Sequence, residues 1–82
     1  MTETEIRALA AEVLAGIAPE ADLATIGDDE DLRDALDLDS MDFLNFVTAL
    51  HERTGRPIPE ADYPRLDTVA NAVAYLVERA AD

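Results

Sequence analysis

Ser40 is the first candidate for chemistry, because it is the single serine of the chain and lies between Asp39 and Asp42. A serine acts as a nucleophile when a base, commonly histidine, is within hydrogen-bond reach of its hydroxyl. The only histidine is His51; on one helix it would lie about 16 Å along the axis from Ser40. A tyrosine or a carboxylate could act as the base in principle, but no glycines suited to an oxyanion hole lie near. We therefore expect no self-contained active site, no catalytic residue and no enzyme.

Metal binding is the second chemistry to consider, because the stretch APEADLATIGDDEDLRDALDLD, residues 18–39, is rich in carboxylates. Carboxylate oxygens suit hard cations, but the calcium loop of an EF-hand needs a glycine at the position that Arg33 occupies here. We expect weak, unspecific binding of divalent cations and no dedicated metal site.

A helix cap is the structural explanation for Ser40. Serine and aspartate both accept hydrogen bonds from the free N–H groups of a first helical turn, and Asp39 and Asp42 have the spacing of a weak capping box. Capping does not explain why two capping residues stand side by side. If Asp39 is the cap, Ser40 lies in the first turn with its hydroxyl directed to solvent, where another enzyme can reach it.

Three stretches of the sequence have the apolar spacing of amphipathic helices. We expect a first helix from Glu3 to about Ile17, capped by Thr2 or Thr4. A second should run from Asp39 or Ser40 to about Thr54. The last should run from Asp67 or Thr68 to near Ala80, and its inward-facing residues should be Val69, Ala72, Val73, Leu76 and Val77. No alternating strand pattern is present. The sequence predicts an all-α fold.

The connections between these helices carry further signals. The long first connection should be held down by its apolar side chains, with a short helical turn at Asp31 to Leu36. One more turn is expected at Glu60 to Tyr63, with Pro64 preventing its extension. The apolar residues of the first connection are Leu23, Ile26, Leu32, Leu36 and Leu38. The prediction is a small four-helix bundle of three main helices and one short helix with a long first loop, forming a single domain over 1–82 and a monomer.

Charge limits the classes of partner. The chain has 82 residues and a formal net charge of −13, from 19 acidic residues and 6 arginines. Such a surface repels phosphate backbones, so we expect no nucleic-acid binding. It attracts proteins that present basic patches.

No segment reaches the roughly 20 apolar residues of a membrane span and no signal peptide is evident, so we expect a cytoplasmic protein.

The second main helix is apolar on two sides. Phe43, Phe46, Val47 and Leu50 form a core stripe, whereas Met41, Leu44 and Thr48 lie nearly opposite. Met41 or Leu44 could be buried under the long loop. The alternative is a docking surface on this side, flanked by Asp42, Asn45 and Glu52, because a small domain cannot easily surround a helix.

The stretch LDLDSMDFLNFVTAL, residues 36–50, resembles the modification motif of acyl carrier proteins. In that family an Asp-Ser-Leu triplet opens the second helix, and its serine receives 4′-phosphopantetheine from a separate transferase. The similarity continues through the rest of the chain, with Leu32 and Leu36 at apolar anchor positions, IPEADY as the short third helix and DTVANAVAYL as the fourth. The resemblance implies that Ser40, beside Asp39, carries the cofactor, whose thiol holds acyl groups as thioesters.

The resemblance also implies partners. They are a phosphopantetheinyl transferase and enzymes that load and process acyl groups, which bring basic docking patches to the second helix. The docking residues are expected to be Met41, Asp42, Leu44, Asn45, Thr48 and Glu52. The helices could shelter an acyl chain among Phe46, Val47, Leu50, Leu66 and Leu76.

The sequence departs from the family pattern at several positions. Carriers of fatty acid synthesis usually have glycine where this chain has Asp37, and leucine where it has Met41. They tend to have glutamates along the second helix, where this chain has Asn45, His51 and Arg53. We therefore predict a carrier of a specialised pathway, such as polyketide, non-ribosomal peptide or modified lipid assembly. The alternatives are a carrier of primary fatty acid synthesis and an unmodified acidic helical adaptor that acts by binding alone.

Overall fold

The protein is described by a computed structural model that covers residues 2–20 and 25–80, with only the backbone for residues 79 and 80. Its elements in chain order are α1 (Glu3–Ile17), α2 (Leu32–Ala35), α3 (Ser40–Thr54), a 3₁₀-helix (Glu60–Leu66) and α4 (Val69–Ala80). No strand occurs in these residues. The predicted all-α fold with three main helices is confirmed, and both predicted short turns are helical.

The ends of the long helices are set by local hydrogen bonds. Of the two candidate caps of α1, Thr2 is the one used: its hydroxyl accepts the Glu5 N–H at 3.1 Å, and the Glu5 carboxylate accepts the Thr2 N–H at 3.0 Å. Thr68 caps α4 by accepting the Asn71 N–H at 3.0 Å. Gly55 ends α3 in the left-handed conformation, with φ of 70°. Side-chain caps satisfy N–H groups that a helix start leaves unpaired, so these boundaries could be predicted locally.

The connection between α1 and α3 is tied to the start of α4 by two backbone hydrogen bonds. The Leu32 N–H donates to the Asp67 carbonyl at 2.8 Å, and the Ala70 N–H donates to the Asp28 carbonyl at 2.9 Å. Of the predicted apolar anchors, Leu32 and Leu38 are buried and Ile26 and Leu36 are half-buried, while Leu23 lies outside the described residues. The segment before Ser40 is therefore fixed to the bundle.

The 3₁₀-helix continues through Pro64 to Leu66, so the prediction that Pro64 stops it was wrong. Proline has a φ near −65°, which lies within the range of a 3₁₀-helix, and it removes only one hydrogen bond. Leu66 is fully buried and holds the end of this helix in the core. Tertiary packing thus extended an element that local rules would end.

The core lies where α1 packs against α3 and α4, with the 3₁₀-helix against α4. Two assignments on α4 differ from prediction: Val77 is 37% exposed, whereas Tyr75 is buried and its hydroxyl donates to Asp62 at 2.7 Å. Phe43, expected in the core, is only half-buried. The buried apolar residues are Ile6, Leu9, Ala10, Val13, Leu14, Leu32, Leu38, Phe46, Val47, Leu50, Leu66, Ala72, Val73, Tyr75 and Leu76. None of the helices in the described part of the chain has the length and apolar character needed to cross a bilayer.

Candidate functional site

Ser40 is the first residue of α3 and is exposed. The preceding residue, Asp39, is the helix cap: its carboxylate accepts the Asp42 N–H at 2.8 Å, and the Asp42 carboxylate accepts the Asp39 N–H at 3.4 Å. The reciprocal pair is the predicted capping box, with aspartate in both positions. Because the Asp39 carboxylate already accepts an N–H of the first helical turn, the Ser40 hydroxyl is not needed for capping.

The side chain that contacts the Ser40 hydroxyl is that of Arg33. Arg33 Nη2 donates to Ser40 Oγ at 3.4 Å, and the Arg33 Cζ lies 5.8 Å from the centroid of the Phe43 ring. His51 lies near the opposite end of α3, where its Nδ1 is 2.7 Å from the Arg56 carbonyl oxygen. A guanidinium stays protonated and cannot take a proton from serine. Among the described residues, the group that contacts Ser40 Oγ is therefore a cation and not a base.

Sequence reasoning did not assign Arg33 to the site. It was considered only as a residue that interrupts a calcium-loop pattern. A usable signal was present, because Arg33 is the one basic residue of the acidic stretch at 18–39. Its contact with Ser40 spans seven residues and depends on how α2 is placed against α3.

Asp37 has a left-handed backbone, with φ of 54°, and it is the only non-glycine residue with positive φ in the described part of the chain. It follows Leu36, the C-terminal cap of α2. The next residue, Leu38, donates its N–H to the Arg33 carbonyl at 2.9 Å, which is the long bond of a Schellman motif. Glycine is favoured at this position of the motif because it has no Cβ to clash. The geometry explains why a glycine was expected at Asp37.

The outward side of α3 carries two large apolar side chains in solvent. Met41 is 65% exposed and Leu44 is 40% exposed, so the alternative that either is buried under the long loop is wrong. Of the other predicted docking residues, Asn45, Thr48 and Glu52 are exposed, whereas Asp42 is half-buried and engaged with Asp39. These residues lie together on one side of the helix that Ser40 opens.

The residues suggested for an acyl pocket are packed in the core. Phe46, Val47, Leu50, Leu66 and Leu76 are at most 1% exposed. Val47 also lines a shallow groove of about 280 Å³, between α3 and residues 57–63, which includes Thr48 and His51. An acyl chain could enter the core from this groove only if the core side chains moved apart, because protein interiors are close-packed.

Other charged groups near α3 are paired or dispersed. Arg53, one of the residues that departs from the family pattern, forms an ion pair with Glu12 of α1 at 3.1 Å and so faces away from Ser40. Across the described ranges, no three His, Cys, Asp or Glu side chains are grouped closely enough to hold a metal ion.

Comparisons with known proteins identify the family of the chain. Residues 4–76 match the family model described as the phosphopantetheine attachment site. The acyl carrier protein of Renibacterium salmoninarum is 36% identical over 75 residues, which cover 88% of each chain. The acyl carrier protein of Streptomyces coelicolor is 33% identical over 70 residues, 85% of this chain and 76% of the relative.

A solved structure gives the same answer for the fold. The acyl carrier protein from Enterococcus faecalis superimposes with a TM-score of 0.79 at 26% identity, covering 96% of this chain and 99% of that one. The match to the attachment-site model, the named relatives and the shared helical fold all agree. The chain belongs to the acyl carrier protein family, whose members carry 4′-phosphopantetheine and act as carriers, not as enzymes.

Proposed function

We propose that Ser40 is the residue of this carrier protein that bears the 4′-phosphopantetheine arm. The observation that carries the proposal is the exposed Ser40 hydroxyl at the start of α3, beside a helix cap that Asp39 provides. Ser40 is also the only serine in the sequence. When bound, the arm supplies a thiol that holds acyl groups as thioesters.

The residues around Ser40 fit a phosphoester. An exposed hydroxyl leaves room for a bulky group, and the Arg33 guanidinium, at 3.4 Å from Ser40 Oγ, offers donors of the geometry that phosphate prefers. The attachment reaction joins Ser40 Oγ to the phosphorus of the pantetheine phosphate of coenzyme A. The pyrophosphate bond breaks, adenosine bisphosphate leaves, and the hydroxyl proton passes to a base. No base of this chain is within hydrogen-bond distance of Ser40 Oγ in the described residues, so a phosphopantetheinyl transferase must provide it.

Intact mass after incubation with coenzyme A and a promiscuous phosphopantetheinyl transferase tests the assignment. We expect one phosphopantetheine adduct on the wild type and none on Ser40→Ala. Thr4→Ala is the matched control, because it removes an exposed hydroxyl from α1, away from the helix that Ser40 opens, and should leave the adduct in place. Failure of the wild type with several such transferases would favour the unmodified adaptor.

We propose that the partner enzymes dock on the α3 outer face, which we define as Met41, Asp42, Leu44, Asn45, Thr48 and Glu52. The two exposed apolar side chains supply contact area, and the carboxylates supply charge. Acyl-loading and acyl-processing enzymes with basic patches are the partners that this surface would attract. The net charge of −13 would speed their encounter.

We further propose that the pathway is a specialised one, such as polyketide, non-ribosomal peptide or modified lipid assembly. Asn45, Thr48 and His51 leave the exposed side of α3 with few carboxylates. Enzymes that select carriers by several salt bridges would bind this face weakly. Loading assays with purified enzymes of both kinds test the proposal. Efficient turnover by primary fatty acid enzymes, with no loading by specialised ones, would show instead a carrier of primary fatty acid synthesis.

A further inference from the structure

Arg33 differs from three of the four other arginines whose side chains the structure describes. The fourth, Arg56, also has no ion pair among the described residues, but it is half-buried and lies beyond the C-terminus of α3. Arg7, Arg53 and Arg65 each have a guanidinium nitrogen within 3.2 Å of a carboxylate oxygen. Arg33 forms no such ion pair within the described ranges, although Asp31 and Asp34 are its near neighbours in sequence. Its charge is directed at Ser40 and at the face of Phe43.

The backbone of Arg33 is held on both sides. Its N–H donates to the Asp31 carboxylate at 2.9 Å, and its carbonyl accepts the Leu38 N–H at 2.9 Å. The second bond joins α2 to the residue that precedes the Asp39 cap. The side chain is held as well, because the Phe43 ring lies within the roughly 6 Å at which a cation and an aromatic face attract. The guanidinium is thus already positioned next to Ser40 Oγ.

Modification of Ser40 would place a phosphodiester at this guanidinium. The two non-bridging oxygens of a phosphodiester share one negative charge and are attached to the same phosphorus atom as Oγ. Asp39 and Asp42, the carboxylates of the capping box, would repel that charge. An arginine fork can donate two parallel hydrogen bonds to such oxygens.

We propose that Arg33 binds the phosphodiester of the arm and fixes the root of the arm against the first turn of α3. The inference rests on the proposed attachment at Ser40. It assigns a positioning role to Arg33, since the thiol that carries the acyl group is at the far end of the arm. A fixed root would limit the directions in which the arm leaves the helix.

NMR of the arginine Nε–H groups of the wild type tests the contact directly. We expect the Arg33 signal, identified by its absence in Arg33→Gln, to shift more on modification than the Arg53 and Arg65 signals. Arg53 and Arg65 are suitable references because each is already paired with a carboxylate of another helix or segment. An Arg33 signal that moves no more than theirs would overturn the inference.

Thermal unfolding of unmodified and modified protein is the second test. The wild type should gain on the order of 2–4 °C on modification, and Arg33→Gln should lose most of that gain. Arg33→Lys should keep part of it, and the matched control Arg65→Gln should keep all of it. A purely structural role for Arg33 would lower both melting temperatures and leave their difference unchanged.

Intact mass separates the two proposals. If the wild type takes up no adduct, the assignment of Ser40 fails and the inference about Arg33 fails with it. Suppose instead that the adduct forms, the Arg33 signal shifts no more than the reference signals, and the gain in melting temperature is the same in Arg33→Gln. Only the present inference is then wrong.

Discussion

Asp37, three residues before Ser40, shows how one residue can hold an unfavourable backbone conformation. Its φ of 54° is in the left-handed region, which aspartate tolerates better than most residues do but less well than glycine. The conformation ends α2 and lets the Leu38 N–H reach the Arg33 carbonyl. Asp37 therefore helps to place both Arg33 and the Asp39 cap.

At this scale we predict that Asp37→Gly stabilises the protein by roughly 0.5–1 kcal/mol, because glycine relieves the left-handed strain. Urea unfolding gives the free energy of unfolding of each variant. Asp34→Gly is the matched control, since Asp34 lies inside α2, where glycine should destabilise by a few tenths of a kcal/mol or more. A loss of stability in Asp37→Gly equal to that of the control would contradict the explanation.

At the scale of elements, the N-terminus of α1 couples stability to pH. Hydrogen bonds from the Thr2 backbone and then from the Thr2 side chain lower the pKa of Glu5 below its ordinary value. A carboxyl group with a lowered pKa in the folded state stabilises the protein above its unfolded-state pKa, near 4.3. That contribution is lost as the pH falls through the folded-state pKa.

We therefore expect the wild type to be more stable than Glu5→Gln at neutral pH, with the difference shrinking once the pH falls below about 4. Urea unfolding at neutral pH and at a series of acid pH values measures the difference in free energy of unfolding between the two proteins. Glu52→Gln, which removes an exposed carboxylate from α3, shows how much of the change comes from net charge alone. A difference that grows toward acid pH would have the wrong sign for this mechanism.

The α3 outer face gives a second prediction for an element. Met41→Gln and Leu44→Gln should each weaken binding of a partner enzyme about tenfold, because exposed apolar groups at an interface centre contribute most. The melting temperature should change little, since surface substitutions are usually within about 0.5 kcal/mol. Titration calorimetry and thermal unfolding give the two quantities.

Val77→Gln is the matched control for these variants. The exposed fractions of Val77 and Leu44 are similar, 37% and 40%, but Val77 lies on α4. It should leave partner binding unchanged. A large loss of stability in Met41→Gln or Leu44→Gln would show that these side chains support the fold and do not serve a partner.

At the scale of the whole molecule, self-repulsion opposes folding, because a net charge of −13 is spread over 82 residues. Salt screens interactions between exposed charges. Raising sodium chloride from about 0.02 M to about 0.5 M should therefore increase the melting temperature by roughly 4–8 °C, the shift expected for about 1 kcal/mol in a domain of this size.

A charge-reduced variant provides the comparison. Asp29→Asn with Glu30→Gln removes two exposed carboxylates from the acidic connection. The double variant should be more stable than the wild type at low salt and less sensitive to salt. Equal salt responses of the two proteins would point to a cause other than self-repulsion.

The sequence determined the features that depend on near neighbours along the chain. Helical spacing of apolar residues predicted α1 and α3, and the side-by-side polar pair identified Asp39 as the cap that leaves Ser40 exposed. Hydrogen bonds of helices and caps join residues three or four apart, so their partners can be read from the chain itself.

Only the tertiary structure decided which groups from different elements meet. The Arg33 contact with Ser40, the burial of Tyr75 in place of Val77 and the continuation of the 3₁₀-helix past Pro64 all depend on packing between segments. Periodicity indicates which face of a helix is apolar, but the neighbouring elements determine how much of that face is covered and which charges lie at its edge.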